Sequence, residues 1–425
     1  MKLAVFAIGS QGDVRPSAAL GAGLVAAGHQ VRLATLPAFK GLAEEYGMEF
    51  APINIDPYEF ITGDIGQSWM RSMDKPGKLA AGFIRAAREM VEELNSDAVR
   101  ACRGAEALLY NVPLSISGHT VAEALKIPGI PNSVAPYHPT GDFPTLFVPK
   151  FPTRSAVANR ISGRVAFQVF WMSIRSEMNR WRRSQGGMSA LQVRNPLGRM
   201  TRDGVPWLYG FSPSVIPAPA DWPATARVCG YWFTRPQQGW QPPRGLEEFL
   251  AASPRPIYVG FGSMVGSDPE HTMATVREGL RLAGARSVVA SGWGGMKSAA
   301  VSDQVYALES IPHEWLFPRV AAAVHHGGAG TTAAALRAGV PSIVVPYFYD
   351  QFFWGRRLQR LGAAPALIAQ RHFTPRLLAD AIRAVTSTAA YAKNAQELSR
   401  QIAGEDGVRE AVKAVEQYLG AISGR

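Results

Sequence analysis

The chain has 425 residues, 47% of them hydrophobic and 18% charged, which predicts a globular protein with two domains, each large enough for its own core. Its formal net charge of +11 indicates an anionic partner, so nucleic acid, an anionic membrane surface and anionic small substrates all stay open. The two cysteines, Cys102 and Cys229, lie far apart, which argues against a disulfide framework or a cysteine-based zinc site.

The N-terminal segment, M-K-L-A-V-F-A-I-G-S-Q-G-D, has one Lys and an apolar run that is too short for a signal peptide. The sequence contains no run of about 18 apolar residues, so we predict no transmembrane helix. The expected location is the cytoplasm.

The first half of the chain predicts alternating strands and helices. Short apolar runs predict strands over residues 2–8, 31–35, 107–110 and 131–134, and helices are predicted over 16–27 and 116–125. This alternation is typical of a parallel sheet with helices on its faces.

A proline-rich segment then separates the two halves. Residues 213–226, P-S-V-I-P-A-P-A-D-W-P-A-T-A, contain four prolines, and proline lacks the N–H group and the freedom in φ that a regular element needs. We therefore predict an N-terminal domain over 1–212 and an interdomain linker over 213–226.

A second series of elements follows the linker. Strands are predicted over residues 256–261, 286–291, 321–325 and 342–345, and helices over 272–283 and 331–338. A second α/β domain is therefore predicted over 227–405. The G-F-G-S-M-V-G stretch lacks the full G-x-G-x-x-G spacing, so we set a dinucleotide site aside.

Residues 150–202 carry most of the net charge. They hold eleven Lys or Arg and a single acid, Glu177, together with aromatic residues at helical spacing. A solvated helix face, contact with an anionic membrane surface and nucleic-acid binding are the three interpretations. Because no nucleic-acid-binding motif is present, we expect no nucleic-acid partner.

The sequence V-H-H-G-G-A-G-T-T, residues 324–332, lies at the junction of a predicted strand and helix. A metal site, a glycine turn without a ligand and an anion-binding loop are the alternatives. Adjacent strand residues point to opposite faces and zinc needs three or four protein ligands, which disfavours the metal site. Glycines before a helix N-terminus favour an anion, because the first-turn N–H groups and the helix dipole attract negative charge.

Two groups of motifs resemble those of a known family. H-H-G-G-A-G-T-T, followed by P-Y-F-Y-D-Q-F-F-W-G-R-R, resembles the nucleotide-sugar signature of family 1 glycosyltransferases. G-S-Q-G-D-V-R-P, residues 9–16, is similar to the N-terminal motif of the sterol, glycolipid and natural-product branch. The resemblance spans nearly the whole chain and is most specific at 9–16, 260–263 and 311–355.

The resemblance implies an α/β protein of the GT-B fold, in which two Rossmann-like domains face each other across a cleft. The N-terminal half would bind the acceptor and the C-terminal half the sugar donor. The last helix, 406–425, would pack back on the N-terminal domain. Such enzymes invert the anomeric centre and need no metal or cofactor, since the nucleotide sugar is a co-substrate.

Carried over by position, the resemblance implies donor-binding residues in both halves. The pyrophosphate would be held by His325, or by His326 in the alternative register, with Ser263, Ser10, Gly12 and the backbone of Gly328, Ala329, Gly330 and Thr331. Asp350 and Gln351 would bind the sugar hydroxyls, because a carboxylate and an amide suit a ring of hydroxyl groups. Ile311 would hold the base through its backbone, with Trp293 nearby.

Asp13 is the candidate general base, which would take the proton of the acceptor hydroxyl as its oxygen attacks the anomeric carbon. It follows a strand in a glycine-rich turn, where α/β sheets bind ligands. The alternative is that Asp13 only braces the turn or caps the helix. His138, in A-P-Y-H-P-T, is a second candidate base, although most isolated loop histidines are merely solvated.

We therefore expect an inverting glycosyltransferase that moves a hexose from a UDP- or dTDP-sugar to a hydroxyl of a hydrophobic acceptor. The acceptor classes that stay open are sterols, terpenoids, polyketides, flavonoids and lipids. A nucleotide-sugar epimerase and a non-catalytic nucleotide-sugar or lipid-binding protein are the alternatives.

Overall fold

The computed structural model describes residues 1–54, 90–112, 115–146, 155–185, 188–235, 239–262, 268–290, 302–347 and 349–424. It divides into two compact units. The first unit comprises Met1–Thr234 and Asp406–Arg425, and the second comprises Arg235–Glu405.

The first unit contains a seven-stranded sheet whose described neighbours are all parallel. Its strands are β1 Lys2–Phe6, β2 Gln30–Thr35, β3 Glu49–Pro52, β4 Ala107–Asn111, β5 Gly129–Ser133, β6 Trp207–Tyr209 and β7 Ala226–Val228. The order across the sheet is β3-β2-β1-β4-β5-β6-β7. All five residues of β4 are buried, as expected of a strand that is covered on both faces of a parallel sheet.

The second unit contains a five-stranded parallel sheet. Its strands are β8 Ile257–Gly260, β9 Ser287–Ala290, β10 Val305–Leu308, β11 Ala322–His325 and β12 Ser342–Val344. The order is β10-β9-β8-β11-β12, so β11 lies between β8 and β12.

Helices connect the strands of both sheets. In chain order they are α1 Gln11–Ala26, α2 Lys40–Glu45, α3 Ser115–Leu125, α4 Ala156–Ser184, α5 Leu197–Arg202, α6 Leu246–Ala251, α7 Pro269–Ala283, α8 His313–Leu316, α9 Ala329–Arg337, α10 Asp350–Arg360, α11 Pro375–Ser387, α12 Ala389–Ala403 and α13 Gly407–Ser423. Residues 90–101 are also helical, and short 3-10 helices lie at Pro37–Phe39, Phe317–Arg319 and Gln370–His372. In the part of the chain that is described, no helix is long and apolar enough to cross a membrane.

The boundary between the units differs from the predicted linker over 213–226. Those residues belong to the first unit, and the boundary falls between Thr234 and Arg235. The segment carries side chains that are buried there, Val215, Ile216 and Trp222, and it leads into β7, which pairs with β6. The prolines therefore lie in a packed connection that returns the chain to its own sheet.

The C-terminal helix α13 packs against α1 within the first unit. Ala411, Val412, Val415 and Leu419 belong to the same buried cluster as β1 and α1. A Cβ atom on Gly23 of α1 would lie 2.3 Å from Cγ1 of Val408, so a glycine permits this close approach of the two helices.

Candidate functional site

In the second unit, the strand order changes direction between β8 and β11, which are adjacent and parallel. Ligands of open α/β sheets bind at such a switch point, outside the carboxyl ends of the strands. His325 ends β11 and lies opposite Gly260 of β8 on one side and Val344 of β12 on the other. The histidine-glycine sequence therefore lies at the expected position for a ligand.

The imidazole of His325 is fully buried, and its hydrogen bond fixes its tautomer. The N–H of Gly327 donates to Nδ1 at 3.0 Å, so Nδ1 carries no proton in this arrangement. Burial, and to a lesser degree the neighbouring His326 and His313, lower the pKa of His325 well below its usual value. His325 is thus neutral with its proton on Nε2, and within the described part of the chain this buried Nε2 has no partner.

His326 lies just beyond the end of β11. The rings of His325 and His326 are nearly perpendicular, with centroids 6.5 Å apart. The His326 ring lies against the start of α9, because a Cβ on Gly328 would lie 2.3 Å from its Nε2. A Cβ on Gly262, just beyond β8, would lie 3.5 Å from its Cε1, and burial lowers the pKa of His326 to about 4. Both rings are therefore neutral hydrogen-bonding groups at neutral pH.

The N-terminus of α9 directly follows these histidines. Gly328 is the N-cap residue, and no side chain of the described residues caps this end. Thr332 N–H donates to Gly328 O, which leaves the N–H groups of Ala329, Gly330 and Thr331 at the open end of the helix. This arrangement suits an oxyanion such as a phosphate group.

Gly327 allows the turn from β11 into α9. Its φ is +87°, and an added Cβ would lie 2.7 Å from Cγ1 of Val344 and 2.9 Å from the backbone oxygen of Gln351. Any residue with a side chain would be strained in this left-handed backbone conformation, and its Cβ would clash with these two atoms.

Asp350 and Gln351 begin α10, beside the same end of the sheet. The preceding residue, Tyr349, has φ +53° and ψ −128°, an uncommon conformation for a residue other than glycine. Nε1 of Trp354 donates to Oδ2 of Asp350 at 3.1 Å, and the N–H of Tyr347 donates to Oε1 of Gln351 at 2.8 Å. The two side chains predicted to bind the sugar are thus held in place by neighbouring donors.

Three other donor residues were predicted in this unit. Ile311 lies between β10 and α8 with its side chain buried, next to His313, whose Nε2 is 3.0 Å from the Tyr258 hydroxyl. Ser263 and Trp293 lie outside the described residues, so their predicted roles stay predictions.

In the first unit, Ser10 and Asp13 lie at the corresponding switch point, between β1 and β4. Ser10 is the N-cap residue of α1: its N–H and its hydroxyl both donate to Oδ2 of Asp13 at 2.9 Å, and its Oγ accepts from the N–H of Gly12 at 3.2 Å. Gly9 has φ +127°, and a Cβ there would lie 2.5 Å from Oδ2 of Asp13. Asp13 therefore caps the helix, as one of the two interpretations expected, while its role as a base stays a prediction.

The surroundings of Asp13 also alter its acidity. Burial raises the pKa of its carboxyl above the usual value, and the two hydrogen bonds from Ser10 oppose that shift. A carboxylate with a raised pKa is a stronger proton acceptor, so the helix cap and the base role are compatible.

His138 is buried, in contrast to the solvated loop histidine that is the common case. Its Nδ1 is 2.6 Å from the hydroxyl of Tyr209, which also accepts the N–H groups of Tyr137 and His138. Because that hydroxyl has one proton and both lone pairs are engaged, it donates to Nδ1 of His138. His138 then carries its proton on Nε2, and burial lowers its pKa to about 4. Its role as a base stays a prediction.

Two contributors were missed by the sequence analysis, namely Trp354 and Tyr209. Trp354 lies four residues after Asp350, one helical turn away, so the D-Q-F-F-W spacing was a usable signal. Tyr209 lies 71 residues from His138, and no local pattern joins them.

Two protein families match parts of this chain. The family described as "Glycosyltransferase family 28 N-terminal domain" matches residues 3–143. The family described as "Erythromycin biosynthesis protein CIII-like, C-terminal domain" matches residues 289–418.

Curated relatives cover nearly all of this chain. A sterol 3-beta-glucosyltransferase of Emericella nidulans is 36% identical over 99% of the chain, and one of Cryptococcus neoformans is 34% identical over 99%. The chain spans only 30% and 27% of the lengths of these two proteins.

Solved structures share the fold at lower identity. The glycosyltransferase of kitacinnamycin aligns with a TM-score of 0.69 at 21% identity, and covers 98% of both chains. The calicheamicin glycosyltransferase CalG4 aligns with a TM-score of 0.66 at 19% identity, again over 98% of both.

Proposed function

We propose that the chain, which has the fold of the GT-B glycosyltransferases and matches glycosyltransferase families in parts of both halves, is an inverting hexosyltransferase. It would move a hexose from a UDP- or dTDP-sugar to a hydroxyl group of a hydrophobic acceptor.

The observation that carries the proposal is the open N-terminus of α9 beside two neutral imidazoles. The N–H groups of Ala329, Gly330 and Thr331 and the Nε2–H of His325 are hydrogen-bond donors grouped at one switch point. A nucleoside diphosphate is the ligand that such a set of donors suits, and its negative charge increases as it leaves. His326 is the second imidazole proposed to contact the phosphates.

The proposed reaction is a single displacement at the anomeric carbon. The acceptor oxygen attacks from the face opposite the diphosphate, the bond to the diphosphate breaks, and Asp13 takes the hydroxyl proton. Asp350 and Gln351 orient the sugar through its hydroxyl groups. Since α9 and the imidazoles stabilise the leaving diphosphate, we propose that neither a metal nor another cofactor is needed.

A sterol is the first acceptor to test. The support is that two relatives which match 99% of this chain, at 36% and 34% identity, are sterol 3-beta-glucosyltransferases, which also makes glucose the first sugar to test. Because such acceptors reside in membranes, we further propose that the basic segment 150–202 brings the protein to an anionic membrane surface.

Mass spectrometry of reaction mixtures tests the proposed function. The protein is incubated with UDP-glucose, dTDP-glucose or dTDP-rhamnose and a panel of sterols and other hydrophobic alcohols, with and without EDTA. The proposal expects an acceptor mass increased by one sugar, unaffected by EDTA. Conversion of the donor to an isomeric nucleotide sugar without acceptor would identify an epimerase. Donor that binds and is never consumed would indicate a binding protein.

A further inference from the structure

The long helix α4 exposes a continuous apolar stripe. Five side chains at intervals of three or four residues are 43–62% exposed, which is unusual for large aliphatic groups on one helix face. They are Val157, Ile161, Val165, Val169 and Met172. We call these five residues the α4 stripe; at 1.5 Å per residue it is about 22 Å long.

The segment after α4 widens this apolar surface. Val193 is 59% exposed, and its carbonyl accepts from Nε2 of Gln168 at 2.8 Å, which holds it beside α4. Nε of Arg175 donates to the carbonyl of Leu191 at 2.9 Å, so the segment follows the helix closely.

The opposite face of α4 already forms the core contact of this helix. Phe170, Trp171, Ile174 and Met178 are buried in one cluster with Val91 and Leu191. The α4 stripe is thus not needed to hold the helix on its unit, and a helix that is apolar on both faces indicates a second apolar environment.

The charges around the stripe identify that environment. The described residues of 155–202 include nine arginines and one acid, Glu177, which is paired with Arg180. Three exposed arginines surround the stripe. Arg164 lies beside it, Arg183 lies about three helical turns beyond its C-terminal end, and Arg194 follows Val193. An apolar strip bordered by arginines complements a bilayer with anionic headgroups, in which aliphatic side chains enter the acyl boundary and guanidinium groups bind phosphates.

We propose that the α4 stripe, with Val193 and these arginines, is the surface through which the protein lies on an anionic membrane. The proposed contact lies in the plane of the interface, because the exposed apolar residues run along one face of a helix. The α4 stripe supplies specific residues for the membrane contact proposed above for 150–202 and rests on that proposal. Vesicle binding does not require the proposed sugar transfer, so the two can fail separately.

Vesicle flotation of the full chain tests the surface. Wild-type protein is mixed with phosphatidylcholine vesicles, with or without phosphatidylglycerol, at rising salt. We expect flotation with the anionic vesicles only, decreasing as salt rises. The double variant Ile161→Glu/Val165→Glu should reduce the fraction bound at least tenfold. Arg164→Gln/Arg183→Gln should weaken binding by a factor of about five per charge and flatten the salt dependence.

A matched control separates this surface from general loss of apolar area. Leu282→Glu/Leu377→Glu changes two exposed leucines of the second unit, which are 40% and 45% exposed, and should float like wild type. Thermal unfolding of all variants checks that they fold. The proposal would be overturned if wild-type protein did not float with anionic vesicles. It would also be overturned if the Ile161→Glu/Val165→Glu variant bound them as wild type does. A dimer that Ile161→Glu/Val165→Glu dissociates, without vesicle binding, would assign the stripe to a second copy of the chain and overturn it equally.

Discussion

At the scale of single residues, Asp13 caps a helix and is also the residue proposed as the base. Its carboxylate accepts two hydrogen bonds from Ser10 and so closes the first turn of α1. The same carboxyl has a raised pKa because burial outweighs those bonds. A group that is structurally held and readily protonated is suited to take a proton from an acceptor hydroxyl.

Asp13→Asn separates the cap from the base. The amide oxygen can still accept from the N–H of Ser10, but it cannot take a proton at neutral pH. We expect kcat to fall by about 10²–10⁴ while nucleotide-sugar affinity, measured by calorimetry, is unchanged. Asp303→Asn, the same change at an exposed acid of the second unit, is the matched control and should leave turnover unchanged. Wild-type turnover in Asp13→Asn would reduce Asp13 to a helix cap.

The raised pKa of Asp13 also predicts the sign of a stability change. In the folded state the carboxyl holds its proton to higher pH than the unfolded value of about 3.9. Its contribution to stability is therefore present below that value and is lost as pH rises through the folded-state pKa. Urea unfolding should show Asp13→Asn at least as stable as wild type at neutral pH, with the advantage disappearing in acid. The prediction would be contradicted if the stability of Asp13→Asn relative to wild type were lower at neutral pH than in acid.

Trp354 is expected to act through Asp350. Trp354→Phe removes the Nε1–H donor to Oδ2 of Asp350, so the carboxylate loses its orientation toward the sugar. We expect kcat/KM for the nucleotide sugar to fall about tenfold, which corresponds to the free energy of one hydrogen bond. Affinity for the free nucleoside diphosphate should be unchanged. In an Asp350→Ala background, which lacks the acceptor, the same change should add little. Fully additive losses would show that Trp354 only fills space.

At the scale of elements, the turn from β11 into α9 forms the proposed anion site. The strand, the glycines and the helix follow one another in the chain, so their order was visible in the sequence, and α9 begins within two residues of its predicted start. The helix α1 begins earlier than predicted, at Gln11, because Ser10 and Asp13 cap it and Pro16 lies inside it.

Gly327→Ala should disrupt this turn. The new Cβ would meet Val344 and the backbone of Gln351 in a left-handed conformation. Gly284→Ala is the control: Gly284 has φ +62° and nothing within 4 Å, so only the backbone cost of about 1–2 kcal/mol applies. We expect Gly327→Ala to cost more in urea unfolding and to weaken binding of the nucleoside diphosphate. Equal costs with intact binding would contradict this account of the turn.

At the scale of the whole molecule, the two ends of the chain complete one core. Leu419 of α13 is 2% exposed and packs in the cluster that contains β1 and α1. Leu419→Ala should reduce the free energy of unfolding by about 2–5 kcal/mol. Leu377→Ala, at a side chain that is 45% exposed, should change it by less than about 0.5 kcal/mol. Similar small changes in both variants, measured by urea unfolding, would show that α13 is dispensable for the first unit.

Features formed by residues close together in the chain could be predicted from the sequence, and features formed by residues far apart in the chain could not. The motifs at 9–16 and 324–332 are local, so the strand-to-helix turns at both switch points could be predicted from composition and spacing, whereas sugar transfer was implied only by the family resemblance. The hydrogen bond between His138 and Tyr209 depends on strand order, which placed β5 beside β6, and this joins residues that are remote in the chain. The domain boundary predicted at the proline-rich segment 213–226 was wrong. Proline content indicates missing N–H groups, but it carries no information on the burial of Val215 or Trp222.

Proton NMR of the reaction with UDP-glucose and a sterol tests the central claim most directly, because it reports transfer and stereochemistry together. UDP-glucose carries an α-anomeric bond, so a single displacement must produce the β-glucoside. The account predicts a β-anomeric proton signal on the sterol that grows in step with released UDP. Formation of an α-glucoside, or release of UDP with free glucose alone, would contradict it.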